Sequence, residues 1–269
     1  MRKKVKNSIV ITILRFNMYK RIPVSTPTGL ALTAISTALV CVATIAFSFY
    51  VPQTRGFFNI GETMVFTTAI LFGPVIGAFA GGAGSMLADV LLGYPHYAPA
   101  TLIIKATEGA IVGYLSRKKP KFNPKSWKAF TFLIGLIIGV SLSVIGAIFY
   151  TGEVELALGI PQLIALNTVF SISSTFWYVI GALVVVLITL VGLIFEPEIG
   201  WLVFTTLIGG SMMVTGYFIY QQFLLFPLFN IQVVAFAEIP INIGQVLIGL
   251  IVTIPIVKMV TRSIPQLKR

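Results

Sequence analysis

Long apolar runs separated by short polar loops dominate the hydrophobic pattern of the chain. About eight of these runs lie between turn-forming residues, and a helix needs roughly 20 apolar residues to cross the hydrocarbon core of a bilayer. The runs predict helices at about 29–50, 61–72, 74–92, 98–116, 129–150, 163–195, 200–226 and 235–258. We therefore predict an all-α, polytopic membrane helix bundle in which residues 29–258 form a single transmembrane domain.

The composition agrees with lipid as the solvent for most of the chain. Hydrophobic residues make up 57% of the sequence and charged residues only 10%, and the mean hydropathy of +0.97 lies far above that of soluble domains. Cys41 is the single cysteine and lies in the first apolar run. It forms no disulfide framework and no paired metal-ligand spacing, so neither a metal nor a cofactor is expected.

The net charge of +11 comes mainly from three clusters of basic residues beside the apolar runs. The clusters lie in 1–28, in 117–128 and at the end of the chain, and only Arg55 and Lys105 fall outside them. Such clusters beside membrane spans usually orient a protein with its basic loops in the cytoplasm. We therefore expect a cell-membrane protein with a cytoplasmic N-terminal segment at 1–28, a cytoplasmic tail at 259–269 and no nucleic-acid partner.

The segment GPVIGAFAGGAGSMLAD, residues 73–89, combines a stripe of small residues with a final carboxylate. The small residues recur every four positions, at Gly73, Gly77, Gly81 and Ser85. In lipid, small residues at this spacing let the backbones of neighbouring helices approach closely. The stripe predicts tight helix packing, whereas a carboxylate at its end requires a different explanation.

Polar side chains occur in or beside several apolar runs, toward the predicted outer side of the membrane. They are Asn59, Glu62, Asp89, Tyr94, His96, Lys105, Glu108, Glu238, Asn242 and Gln245. A charged group within the hydrocarbon costs about 2.5 to 3.5 kcal/mol on insertion scales and normally faces protein or a water-filled cavity. A polar chamber that opens to the outside explains these residues together, and the outer loops would cover it with Arg55, Asn59, Tyr94, His96 and Tyr97.

Most of these residues also have a purely structural interpretation. Lys105 and Glu108 can form a structural ion pair, because they lie three residues apart on one helix face. His96, in a loop between two prolines, can be solvated, and Tyr94 suits the aromatic belt at the membrane surface. Asp89 can cap the adjoining loop, and the polar stripe of the last helix can hold helices together.

The run FNIGETMVFTTAILFGPVIGAFAGGAGSMLADVLLGYPHYAPATLIIKATEG contains five short motifs in a fixed order. They are Asn-Ile-Gly-Glu, Gly-Pro, Leu-Ala-Asp, Gly-Tyr-Pro and Lys-x-x-Glu-Gly. In this order they resemble the S components of energy-coupling factor (ECF) transporters, the membrane subunits that bind the substrate, and especially the riboflavin-type branch. The resemblance covers residues 29–117 and, through EIPINIGQ, the last helix.

The resemblance implies a transport subunit that captures a water-soluble vitamin or cofactor precursor from outside. In this family, a coupling membrane subunit and two cytoplasmic ATPase subunits then drive release to the inside. The chain has no GxxxxGK[ST] phosphate loop, so ATP hydrolysis would come from the partners and the chain is not expected to be an enzyme. The resemblance further implies that Ala34 and Ala38 dock on the coupling subunit and that the chamber residues bind the substrate.

The chain departs from this family in its number of helices. S components usually have six, whereas about eight are predicted here, so residues 129–195 are expected to form an additional helix pair. Two other functions stay open, namely an ion-coupled secondary transporter that works alone and an intramembrane enzyme using Asp89, His96 or Glu108 as acid or base. The polar and aromatic groups suit a flavin, pyridine or pyrimidine and do not distinguish among them.

Overall fold

A computed structural model describes residues 24–52, 54–118, 123–158, 166–194 and 197–264. Its helices are α1 (Pro27–Ala46), α2 (Glu62–Phe72), α3 (Pro74–Leu91), α4 (Ala98–Leu115), α5 (Pro124–Phe149), α6 (Ser174–Ile194), α7 (Pro197–Ile219), α8 (Phe226–Phe229) and α9 (Ala235–Ser263). A π-helical turn, Tyr220–Leu225, joins α7 to α8. The strands are β1 (Ser48–Val51), β2 (Gly56–Asn59), β3 (Gly152–Leu158) and β4 (Leu166–Ile172). Most of the two predicted basic termini lies outside the described residues.

Every predicted apolar run contains a helix, which confirms the all-α membrane bundle. Five helices of the described chain are long and apolar enough to cross a membrane: Pro27–Ala46, Pro74–Leu91, Lys125–Phe149, Gly200–Phe229 and Ala235–Ser263. The 11 residues of α2 span only about 17 Å at 1.5 Å per residue. Because Glu62 at its first position is buried, α2 begins within the depth of the bundle.

The bundle has two chemically different ends. At the first, called the basic end, α2 passes into α3 through Gly73, and Arg117 at the end of α4 donates a 2.8 Å hydrogen bond to the Phe72 carbonyl. All the described lysines and arginines except Arg55 and Lys105 lie at this end. The opposite end, called the hairpin end, contains β1, β2, the loop between α3 and α4, and the start of α9.

Small residues bring the backbones of α3 and α4 into contact, as predicted from the glycine stripe. A Cβ atom added at Gly81 would lie 2.8 Å from the Lys105 carbonyl oxygen. One added at Gly113 would lie 2.6 Å from both the Gly73 carbonyl carbon and the Pro74 nitrogen. No side chain fits at these distances unless the backbone shifts, so the two helices depend on glycine at these positions.

A small antiparallel sheet at the hairpin end differs from the predicted helices. The first helix was predicted to reach residue 50, but α1 ends at Ala46 and β1 pairs with β2 as a hairpin. The aromatic and β-branched residues of SFYV favour a strand over a helix. Arg55, at φ 50°, takes the left-handed conformation within the turn that reverses the chain.

The sheet also replaces a predicted loop and the first part of a predicted helix. β3 occupies the segment predicted as the outer loop TGEVELALG, and β4 occupies the first residues of the run predicted at 163–195. β3 pairs with β4 over its whole length and with β1 at Phe49 and Tyr50, which gives the strand order β2-β1-β3-β4. The alternating residues of GEVELAL are typical of a strand, a signal that hydropathy averaged over a helical span does not detect.

We expect Gly113→Ala to destabilise the protein by roughly 1–3 kcal/mol, because the added methyl group overlaps the backbone where α3 begins. Gly244→Ala in α9 is the matched control. Its methyl group would meet only the ring of Phe58, at 3.3 Å, and a helical Gly→Ala change otherwise gains up to about 1 kcal/mol. Thermal unfolding in detergent compares the two variants, and equal melting temperatures would contradict the packing role of Gly113.

Candidate binding site

A polar cavity lies inside the bundle toward the hairpin end. Its volume is about 40 Å³, which is room for a few water molecules. Its walls come from α1 to α4, β2, α7 and α9, with no described lining residue from α5 or α6. The lining residues are Thr44, Gly56, Phe57, Asn59, Gly61, Glu62, Ser85, Asp89, Tyr97, Thr101, Lys105, Tyr217, Glu238, Asn242 and Gln245.

Seven of the ten predicted binding residues line this cavity: Asn59, Glu62, Asp89, Lys105, Glu238, Asn242 and Gln245. The other three lie next to it. Glu108 lies behind Lys105, and Tyr94 and His96 belong to the loop that covers the cavity. The structure therefore gathers the predicted polar residues in one place, while their role in substrate binding stays a prediction.

Lys105 joins two carboxylates deep in the cavity. Its ammonium group contacts the carboxylate of Glu62 and lies 3.2 Å from Glu108 Oε2. The side chains of all three residues are almost completely buried, and the Tyr217 ring centre lies 5.8 Å from Lys105 Nζ, within cation–π distance. A single buried charge would be very costly here, so Lys105 and Glu108 form the structural ion pair and Glu62 extends it.

Three amide side chains form a hydrogen-bonded chain along another wall. Asn59 Oδ1 accepts from the Gly61 N–H at 2.8 Å, and Asn59 Nδ2 donates to Gln245 Oε1 at 2.6 Å. Gln245 Nε2 then donates to Asn242 Oδ1 at 2.9 Å. Asn242 Nδ2 has no hydrogen-bond partner among the described residues. The amides therefore connect β2 to α9 and leave one unused donor at the cavity wall.

Asp89 and Glu238 reach the cavity from α3 and α9. Their exposed fractions are only 4% and 6%. Thr101 faces Asp89, and Thr54 and Gln221 face Glu238, yet Asp89 Oδ2 and Glu238 Oε2 have no hydrogen-bond partner within the described chain. Neither carboxylate has a basic partner in that part of the chain. Buried polar atoms without partners are rare in proteins, so these two oxygens require an explanation.

Aromatic rings cover the cavity on its hairpin side. Phe57 packs against Tyr94 and His96 against Tyr97, each with ring centres 4.9 Å apart, and Tyr97 packs against Tyr220 at 5.9 Å. Burial raises the pKa of Tyr94 to about 12 and lowers the pKa of His96 below its ordinary value. Both side chains are therefore uncharged near neutral pH, and the cover adds no charge above the cavity.

Tyr97 connects three parts of this cover. Its hydroxyl donates a 2.8 Å hydrogen bond to the Thr54 carbonyl in the β1–β2 turn and accepts one of 2.9 Å from Gln221 Nε2. Gln221 belongs to the π-helical turn, a rare element that often occurs at functional sites. The phenol group of Tyr97 therefore joins its own α3–α4 loop to the hairpin and to the turn after α7.

Eight lining residues were not among the predicted binding residues: Thr44, Gly56, Phe57, Gly61, Ser85, Tyr97, Thr101 and Tyr217. Helical spacing could have identified two of them. Ser85 and Thr101 lie four residues before Asp89 and Lys105, on the same helix faces. No sequence signal indicates Tyr217, because its helix is far along the chain and meets the cavity only in the folded protein.

An apolar bundle of helices with a small buried polar cavity is the architecture of a multi-pass membrane protein that holds a small polar molecule. The family model described as the ECF-type riboflavin transporter, S component, matches residues 25–191. The chain belongs to this family, which assigns it to transport and not to enzymatic catalysis. The match includes α1 to α5 and most of α6, and it ends before α7 and α9, which contribute four of the lining residues.

The chain matches about two thirds of the length of each of two relatives. An uncharacterised protein of Pyrococcus woesei is 41% identical over 107 residues, which is 40% of this chain and 67% of that protein. The thiamine precursor transporter HmpT of Lactococcus lactis subsp. cremoris (strain MG1363) is 30% identical over 123 residues, 45% of this chain and 68% of that protein. The names of the family and of this relative both refer to vitamins, but to different ones.

Removing Lys105 alone should destabilise the protein more than removing the whole charged cluster. We expect Lys105→Met to cost roughly 3–5 kcal/mol, because it leaves two buried carboxylates without a cation. A triple variant that adds Glu62→Gln and Glu108→Gln should recover most of this loss. Thermal unfolding in detergent measures both, and a triple variant less stable than the single one would contradict this explanation.

Proposed function

We propose that the chain is the substrate-binding subunit of an ECF-type importer and holds a water-soluble vitamin or cofactor precursor in the polar cavity. One observation carries the proposal: seven of the ten predicted binding residues line one cavity, in a chain of the S-component family. The cavity of about 40 Å³ must widen to admit such a ligand, because small-molecule sites usually measure about 300–1,000 Å³. Loops enclose the cavity at the aromatic cover, whereas packed helices enclose its other sides. The cover is therefore the side at which the cavity would widen.

In this proposal the hairpin end faces the outside and the basic end faces the cytoplasm. Support comes from the positive-inside rule, because the described basic residues other than Arg55 and Lys105 lie at the basic end. Both termini would then be cytoplasmic. The cavity would take up its substrate from outside, whereas the ATPase partners would act from the opposite end.

The proposed contact with the coupling subunit is the outer face of α1. Ala34 and Ala38 are exposed on this helix, whereas Thr33, Ser36 and Val40 are buried against the bundle. Small side chains on an outward face let a helix of another subunit approach closely. This arrangement supports the docking role that the resemblance implies.

We further propose that the predicted additional pair, residues 129–195, is an attachment to a six-helix core. The family match extends over most of this pair, so the proposal rests on the cavity lining. The described lining comes from α1, α2, α3, α4, α7, α9, β2 and the adjoining loops, and not from α5 or α6. α6 packs chiefly against α5, which in turn packs against α9. The pair therefore lies beside the cavity walls and not within them.

Uptake by proteoliposomes tests the proposed function against its alternative. We expect a vitamin bound by the purified chain to accumulate only when the coupling subunit, both ATPases and ATP are present. The chain alone, with a proton or sodium gradient, should bind the vitamin without accumulating it. Gradient-driven accumulation by the chain alone would instead establish a self-sufficient secondary transporter.

Substitution on α1 tests the proposed docking face. We expect Ala34→Trp and Ala38→Trp to reduce ATP-driven uptake by about tenfold or more, because a bulky ring prevents close helix approach, while vitamin binding in detergent stays unchanged. Ile103→Trp is the control, since Ile103 is 69% exposed on α4, on another helix. Uptake that is equal in all three variants would remove Ala34 and Ala38 from the docking face.

A further inference from the structure

The cavity and its immediate surroundings contain more negative than positive groups. Four carboxylates, those of Glu62, Asp89, Glu108 and Glu238, meet one ammonium group, that of Lys105. Among the described residues, the ion pairs of Lys105 are with Glu62 and Glu108. Asp89 and Glu238 therefore have no protein cation among the described residues to balance them.

These two acids also have unused hydrogen-bonding capacity that faces the cavity. Both side chains line it and are at least nine-tenths buried, and one oxygen of each has no partner within the described residues. They approach from different helices, α3 and α9. As carboxylates they accept hydrogen bonds and do not donate them, so neither satisfies the other. A ligand between the two acids would meet one carboxylate oxygen on each side. Each oxygen accepts a hydrogen bond, so the ligand must supply a hydrogen-bond donor to both.

The remaining walls suit a flat positive group. The aromatic side chains of Phe57, Tyr97 and Tyr217 line the same cavity, and aromatic faces attract organic cations. Asn242 Nδ2 adds one unpaired donor, which can meet a ring nitrogen or hydroxyl of the ligand. Among the described residues no group of three His, Cys, Asp or Glu side chains could hold a metal ion, so an organic cation fits better.

Resting on the proposed function, we propose that the substrate is a cationic, amine-bearing nitrogen heterocycle held between Asp89 and Glu238. Its N–H groups donate to the two unpaired carboxylate oxygens, and its positive charge offsets one of their two negative charges. A neutral flavin is a poorer match, because it brings no positive charge and its ring has one N–H donor beside its carbonyl oxygens and unprotonated nitrogens. The family name is therefore not a guide to the substrate of this chain.

Binding of three vitamins of different charge to the purified full chain tests this inference. The probes are thiamine, a cation with an amino-bearing ring, riboflavin, a neutral flavin, and biotin, an anion. We expect thiamine to bind at least about a hundredfold more tightly than either of the others, as measured by calorimetry in detergent. Tight riboflavin or biotin binding without thiamine binding would overturn the inference and leave the proposed function intact.

A different result would count against the proposed function itself. If none of the three probes binds, and mass spectrometry detects no co-purified vitamin or vitamin precursor, the cavity is not a vitamin site and both proposals fail. A co-purified neutral or anionic vitamin would overturn only the cationic substrate. A co-purified heterocyclic amine would support it even if thiamine itself is too large.

Isosteric substitutions test the two acids directly. We expect Asp89→Asn and Glu238→Gln each to weaken binding of the cationic probe by about tenfold or more, because each removes a charged hydrogen-bond acceptor. Glu153→Gln is the matched control, since Glu153 is an exposed acid of β3 away from the cavity lining. Affinity unchanged in both cavity variants would overturn the inference.

The stability of the ligand-free protein separates a binding role from a structural one. An unpaired buried carboxylate is costly, so its neutral amide should leave the melting temperature without ligand unchanged or higher. Loss of binding together with a lower ligand-free melting temperature in both variants would indicate that the acids support the fold, and would overturn their assignment to the substrate.

Discussion

The pairing of Lys105 with Glu62 and Glu108 is the constraint on which the rest of the site depends. A lysine in the middle of a membrane helix is tolerated when acidic groups compensate its charge, and here one of these groups comes from another helix. α2 must therefore begin beside the middle of α4, within the bundle. This position leaves space above the first turn of α2, where the hairpin and loops enclose the cavity.

The glycine residues and the charged cluster are parts of the same arrangement. A Cβ atom at Gly81 would lie 2.8 Å from the carbonyl oxygen of Lys105, and one at Gly249 would lie 2.6 Å from the Cβ atom of Glu62. The small residues thus stand where α3 and α9 pass the lysine and its partner. Close backbone contact keeps lipid away from the ion pair, and the ion pair in turn holds the helices at that separation.

Residue types predicted the bundle and most of the cavity, because a charged residue in an apolar run requires a polar environment wherever it occurs. Asp89 and Glu238 could be identified on this ground alone. Contacts between residues that lie far apart in the sequence could not be predicted from residue types. Helical spacing indicated Glu108 as the partner of Lys105, but Glu62 becomes its neighbour only when α2 packs against α4. The sheet was missed for the same reason, since Tyr50 pairs with Ala157, more than 100 positions away.

The acids of the site fall into two groups when each is considered with its partners. Glu62 and Glu108 share the Lys105 ammonium group, so each of them has a positive partner before any ligand arrives. Asp89 and Glu238 bear a similar burial cost without such a cation in the described chain. A fold gains nothing from two unbalanced buried carboxylates, because hydrophobic side chains of similar size would pack there at lower free energy. The proposed cationic substrate would explain their place in the cavity wall, which helix packing alone does not.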